Sequence, residues 1–186
     1  MNVSDVLWEF HKIFEGYEPR AYRDSVGVLT IGVGHANQDT APFSEGDEWD
    51  DERIHEVWLL DVQRAEELAN GWIHRDVPQP FFDTAVDIIF NVGRRPTTFI
   101  NNLNAGDLEA AAYQILRWVY AGGRVELGLV RRRFAAYAMC LQDNWYDVAM
   151  TPLSSKNLDP FNAMIARYGF AIERVEGPAR FEIVEV

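Results

Sequence analysis

The hydrophobic period of this chain changes abruptly at Gly16, and that change limits the folds open to it. Before it, Val3, Leu7, Phe10 and Phe14 recur at helical spacing, so residues 3 to 14 are expected to form an amphipathic helix that Gly16 stops. After it, "AYRD" and "VLTIGVG" are short strand-like runs joined around Ser25-Val26-Gly27, the pattern of a small hairpin reaching to His35. A chain that turns from helix to hairpin and back to helix must build a mixed fold with a small β element.

The helical period returns after a polar, acidic loop over 36–51. Ile54, Val57, Trp58, Ala65, Leu68 and Trp72 predict a long helix from Asp51 to Arg75, with acidic residues at the end where the helix dipole favours them. Pro78 and Pro80 break it. Shorter helices are expected over 81–91 and 97–104. Asp107 then caps a helix whose apolar face runs from Leu108 to Val119 and which Gly122-Gly123 ends. A further helix is expected over 127–142.

Beyond Trp145 the pattern shifts again. "TPLSSKNL" reads as a linker, Asp159-Pro160 as the cap of a short helix ending at Gly169, and "FAIERVE" with "ARFEIVEV" as a terminal hairpin around Gly177-Pro178. The expected class is therefore α+β. The expected organisation is a main domain over 1–144 and a docked helix-plus-hairpin extension over 145–186.

Charge and cysteine content exclude several functions. A net charge of −12 argues against nucleic acid as a partner, because phosphates demand a basic footprint. It argues equally against adhesion to anionic polymers by bulk charge, so any such polymer must be gripped locally by a few placed cations. Cys140 is the only cysteine and falls on an apolar helical stretch, which suits a core residue and allows no internal disulfide. His11, His35, His55 and His74 show no metal-ligand spacing, so neither a metal nor another cofactor is expected. No apolar run is long enough for stable membrane insertion, and "MNVSDVLWEF" lacks the features of a secretory signal. The expectation is a monomer made in the cytoplasm.

Three polar residues stand out in the helix-to-hairpin segment: Glu15, Asp24 and Thr30. Cleaving a glycosidic bond requires a carboxyl that protonates the leaving oxygen and a second carboxylate that activates water or stabilises charge on the sugar. A glutamate ending an apolar helix is placed where desolvation can keep it an acid, while an aspartate at a hairpin turn stays wetter. A threonine hydroxyl on the returning strand could hold the attacking water. By spacing alone, a helix end, a turn aspartate and a strand threonine explain the same residues.

The surrounding motif is more specific. Phe14-Glu15-Gly16, Ala21-Tyr22, Asp24, Gly27, Thr30-Ile31-Gly32 and Gly34-His35 resemble the signature of the phage-type lysozymes, the muramidases of tailed bacteriophages. "FNVG" at 90–93, "LNAGDLEAAAYQILRWVYAGG" at 103–123 and "GLVRRR" at 128–133 extend the resemblance over residues 5–142. It implies a lysozyme-like fold: a small hairpin lobe and a larger helical lobe joined by a long helix, with a cleft between them. It also implies Glu15 as general acid, Asp24 as base or electrostatic partner and Thr30 as the hydroxyl that positions water.

The implied substrate is bacterial peptidoglycan, cut at the β-1,4 bond between N-acetylmuramic acid and N-acetylglucosamine. Rival readings are a lytic transglycosylase, and a non-catalytic wall-binding or virion structural protein. Action at the cell wall would then need a membrane-permeabilising partner such as a holin, or delivery within a particle. Substrate-binding residues are less defined. Tyr22 either packs behind the cleft or stacks on sugar, and Gly34 and His35 end the hairpin beside it. His35 is as readily a structural hydrogen-bonding residue. Arg131, Arg132 and Arg133 form a solvated face, pair with Glu15 or grip a stem-peptide carboxylate; Arg132, the central one, stands for the functional versions. Phe134 occupies a place where the family often carries glutamate, and the tail from 145 onward has no counterpart in the resemblance.

Overall fold

A computed structural model describes residues 1–36, 40–176 and 180–186. Among them are eight α-helices and three two-stranded antiparallel hairpins. The chain divides into two compact units, Met1–Arg95 and Pro96–Val186.

In the first unit, α1 (Asp5–Glu15) begins at Ser4, whose side chain accepts from the Val6 N–H, and ends at Gly16. Strands β1 (Glu18–Arg23) and β2 (Leu29–Gly32) form the expected hairpin. The long helix α2 (Asp51–Trp72) starts at Asp50, which accepts from the Arg53 N–H and satisfies one of the donors a helix start leaves open. It ends three residues earlier than the apolar pattern suggested. Helix α3 (Gln79–Val92) follows Pro78 and is buried along most of its length.

The interior of this unit is built from Leu7 and Phe10 of α1, Ile31 of β2, Ile54 and Trp58 of α2, and Phe82 and Ile88 of α3. It also contains a polar cluster. His11, Asp83 and Asp87 are buried, and Trp58 Nε1 donates to His11 Nδ1 at 3.0 Å. Burial of such groups is tolerable only when they find partners. Asp83 accepts from the Ser4 N–H at 3.1 Å and from the Ser4 hydroxyl at 2.5 Å, so the start of α1 is bolted to α3.

In the second unit, α4 (Thr97–Ala105) and α5 (Leu108–Ile115) lead to β3 (Tyr120–Ala121) and β4 (Arg124–Val125). Asp107 caps α5 by accepting from the Ala110 N–H, as expected. The helix, however, stops well before Gly122-Gly123. Those glycines have φ of 57° and 75° and form the two-residue turn of the β3–β4 hairpin. Two successive positive φ values suit the twist of a tight hairpin, and only glycine takes both without strain.

Helix α6 (Leu127–Cys140) is buried along much of its length, Cys140 included. The tail is more structured than its sequence suggested. Helix α7 (Trp145–Met150), capped by Asn144, precedes the linker-like stretch. Helix α8 (Asp159–Ile165) begins after Leu158, with Asp159 inside its first turn and not capping it, and continues as a single 3-10 turn over Ala166–Tyr168. Strands β5 (Phe170–Val175) and β6 (Arg180–Glu185) pair as expected. The Gly177-Pro178 turn predicted between them lies outside the described residues.

The tail packs on the rest of its unit through aromatic side chains. Phe134 of α6 meets Phe161 of α8 edge-on at 5.9 Å and Phe170 of β5 at 5.7 Å between ring centres. The glutamate-for-Phe134 departure thus has a physical reason in this chain: the residue is an anchor for the tail, and a carboxylate there would be buried among aromatic rings.

Candidate active site

Glu15 is the last residue of α1, immediately before its Gly16 cap. That location sets a carboxyl at the negative end of the helix dipole. The chain returning from β2 passes directly over it. Gly34 has φ of 69°, and a Cβ placed on it would stand 3.3 Å from Glu15 Cβ and 3.9 Å from Glu15 Oε2. Glycine is therefore required here twice, for the left-handed backbone and for the close approach. The structure makes Gly34 a packing partner of Glu15.

Asp24 follows β1 and organises the turn. Its Oδ1 accepts from the Val26 N–H at 3.0 Å and the Val28 N–H at 2.8 Å, and its own N–H donates to the Val28 carbonyl at 2.9 Å. An Asx turn of this kind holds the carboxyl in one orientation and leaves Oδ2 outside the turn's own hydrogen bonds. The turn aspartate is thus both a structural and a chemically available group.

Thr30 lies opposite Tyr22 in the hairpin register, and directly opposed residues share one face of an antiparallel pair. Thr30 is buried, and its hydroxyl donates to the Val28 carbonyl at 3.2 Å. Spending its proton this way leaves the oxygen lone pairs to accept from a water. Tyr22 is 38% exposed, so its ring is open on that shared face. One turn, through Val28, couples Asp24 and Thr30.

His35 closes the hairpin end by a backbone bridge with Ile31. Its Nδ1 lies 2.8 Å from Asp61 Oδ2 on α2, and its Nε2 lies 3.0 Å from the Ala41 carbonyl. Both ring nitrogens face protein acceptors, so the side chain ties the hairpin to α2 and the following loop. Just beyond Glu15, the hydroxyl of Tyr17 donates to Asp51 at the start of α2. Burial first, and then that carboxylate, push the Tyr17 hydroxyl up to about 12.

The paired arginines belong to the second unit. Arg132 is 4% exposed and Arg133 fully buried, which rules out a solvated face for these two. Arg133 Nε donates to the Trp118 carbonyl at 3.2 Å. Sequence reasoning missed the grip of Gly34 on Glu15 and the turn-holding work of Asp24. The second had a signal, since aspartate two residues before a turn residue commonly accepts from the backbone ahead of it.

The sequence profile of the family described as phage lysozyme matches residues 12–136. The chain belongs to the phage lysozyme family. It is 33% identical over 130 residues to a SAR-endolysin of Bacteriophage PS119, covering 68% of this chain and 76% of that protein. It is 34% identical over 138 residues to an endolysin of Bacillus phage B103, covering 72% of this chain and 51% of that relative. Among solved structures, the endolysin from Escherichia coli O157:H7 phage FAHEc1 superposes with a TM-score of 0.66 at 30% identity, covering 76% of this chain and 94% of that one.

The chain is accordingly a phage-lysozyme-family glycoside hydrolase of the endolysin type, with an α+β lysozyme-like fold. Among the described residues, no helix is long and apolar enough to cross a membrane.

Proposed function

We propose that this peptidoglycan hydrolase is an N-acetylmuramidase, cutting the β-1,4 bond between N-acetylmuramic acid and N-acetylglucosamine. Glu15 protonates the leaving oxygen. Asp24 activates water or stabilises the developing charge on the sugar, and Thr30 orients that water through its hydroxyl oxygen. The enzyme acts as a monomer, on strands reached through a membrane-permeabilising partner or from within a particle.

One observation carries this reading. Asp24 and Thr30 are both referenced to Val28 within a single tight turn, so the second carboxylate and the hydroxyl move as one rigid group. A transglycosylase needs the acid but no water, and would have no use for a hydroxyl fixed relative to a second carboxylate. Preorganisation of this kind is what a hydrolytic step requires of its water site.

Digestion of purified peptidoglycan separates the chemistries. A muramidase releases reducing N-acetylmuramic acid ends, whereas a transglycosylase leaves anhydro ends that mass spectrometry distinguishes by the missing water. Glu15→Gln should fold normally and lose on the order of 10²–10⁴ in rate, because an amide cannot donate the proton. Anhydro products from the wild type, or retained turnover by the glutamine variant, would overturn the assignment.

A further inference from the structure

The second unit contains a hollow that the catalytic triplet does not use. About 540 Å³ in volume, it lies between the end of α5, the β3 edge and strand β6 of the tail. A smaller hollow of about 250 Å³ adjoins it, sharing Tyr120 and Glu182 as a common wall. Leu116, Val119 and Phe170 give the larger one an apolar floor, each 6% exposed or less. Tyr113 and Tyr120 stand at its sides, 42% and 61% exposed.

Three arginines and two glutamates line the two hollows, a small local excess of positive charge in a chain whose net charge is −12. Arg117 borders the larger hollow, and Arg124 and Arg180 border the smaller one. Among the described residues, none of these three arginines has an ion-pair partner. Of the two rim carboxylates, Glu185 is already engaged, accepting from the Tyr113 hydroxyl at 2.5 Å. That bond also fixes β6 against α5, so the hollow's shape depends on the tail staying docked. Three guanidinium groups outside ion pairs, set beside tyrosine walls, suit a ligand that combines sugar faces with carboxylates. Tyrosine rings present flat apolar faces, and arginine pairs with carboxylates in bidentate geometry.

We propose that this hollow, completed by the C-terminal hairpin, is a binding site for peptidoglycan strands bearing stem peptides, with the stem carboxylates held by Arg117, Arg124 and Arg180. The proposal rests on the reading of the enzyme as a peptidoglycan hydrolase and assigns the tail a task in it. It supplies the local cationic grip that a strongly acidic protein needs to stay on an anionic wall. Part of the attraction is between exposed charges, so it weakens as salt rises.

The test uses the full-length Glu15→Gln protein, so that binding is read without cleavage. NMR titration with a soluble disaccharide-tetrapeptide should shift the Tyr113, Tyr120 and Arg117 signals, and binding read there should weaken with added salt. Arg117→Ala combined with Arg124→Ala should lower the affinity read at Tyr120 at least tenfold, and Tyr120→Ala should lower that read at Tyr113 similarly. Circular dichroism and melting temperature confirm that each variant is folded. Equal shifts from the disaccharide without peptide would overturn recognition of the stem. Undiminished affinity in folded variants, or shifts produced by a polyphosphate wall polymer and not by the muropeptide, would overturn the site. The release of reducing ends by the enzyme with Glu15 intact is a separate measurement, so failure of the hydrolase reading is told apart from failure of this one.

Discussion

The interior beneath α1 and the interior beneath the tail are stabilised by different physics. Under α1, His11 accepts from Trp58 at Nδ1 and points Nε2 at Asp87, 3.3 Å from its Oδ1, with both side chains fully buried. Because Nδ1 is an acceptor in this arrangement, the ring proton sits on Nε2, toward the carboxylate. Under the tail, Phe134, Phe161 and Phe170 pack ring against ring. A polar interior is directional and fails when one partner goes missing. An apolar interior is indifferent to direction and fails when volume goes missing. The directional one lies beside the helix that ends in Glu15.

The largest expected effect breaks the apolar side of the comparison. Phe134→Ala should destabilise by about 3–5 kcal/mol, the usual range for emptying an aromatic site in a closed core. Phe134→Leu should keep much of that stability, since it leaves a smaller void. Urea unfolding measures both; a loss below about 1 kcal/mol for the alanine variant would mean that the tail does not rest on this ring.

The polar side should break differently. His11→Leu keeps most of the volume but strips the Trp58 indole N–H of its acceptor, at a cost of about 1–3 kcal/mol. Trp58→Phe removes the stranded donor, so the double variant should lose less than the sum of the singles. A double-mutant cycle that came out additive would show the buried bond to be energetically idle.

Gly34→Ala tests how tightly the hairpin sits on Glu15. A left-handed backbone costs a residue with a Cβ roughly 1–2 kcal/mol. The added methyl must also push against Glu15 Cβ, which it would approach to 3.3 Å. Activity should therefore fall by more than a distant substitution of equal stability cost would produce. Reducing-end release at matched folded fraction checks this, and equal losses would remove Gly34 from the positioning of Glu15.

The smallest effect is a pH dependence. Burial raises Asp83 above the ordinary carboxylate value, against the opposing pull of hydrogen bonds from Ser4 and Gln79. The folded protein then keeps this proton to higher pH than the unfolded chain does. The group's contribution is full below the unfolded value and is lost as pH rises through the higher folded one. Comparing Asp83→Asn with wild type from roughly pH 4 to pH 7, the wild type should lose ground to the variant as pH rises. A pH-independent difference in melting temperature would show that Asp83 does not titrate on folding.

Much of the architecture was legible because it is local. Amphipathic spacing located α1 and α2, and the cap at Asp107 acts within one helical turn of itself. The β1–β2 hairpin was equally legible, since its alternation and its turn residues lie within a few positions of one another. The same locality misled at Gly122-Gly123. Two glycines after an apolar helical face read as a stop, but the chain had already left the helix and used them to turn a hairpin. Nor did the sequence just before the linker-like stretch betray α7, whose Val148 and Ala149 are buried in this unit.

What the sequence determined by itself was the order of elements, the α+β class and the helix-to-hairpin segment that carries Glu15, Asp24 and Thr30. Each depends on interactions between residues a few places apart, and such interactions leave a period or a motif. The tertiary structure alone decided that Gly34 presses on Glu15, that His11 finds its indole donor on a helix 47 residues along the chain, and that Phe134 becomes the seat of the tail. Those contacts join residues whose sequence neighbourhoods carry no trace of one another. Only when burial removes water does a histidine, a glycine or a phenylalanine acquire the one partner that gives it a role.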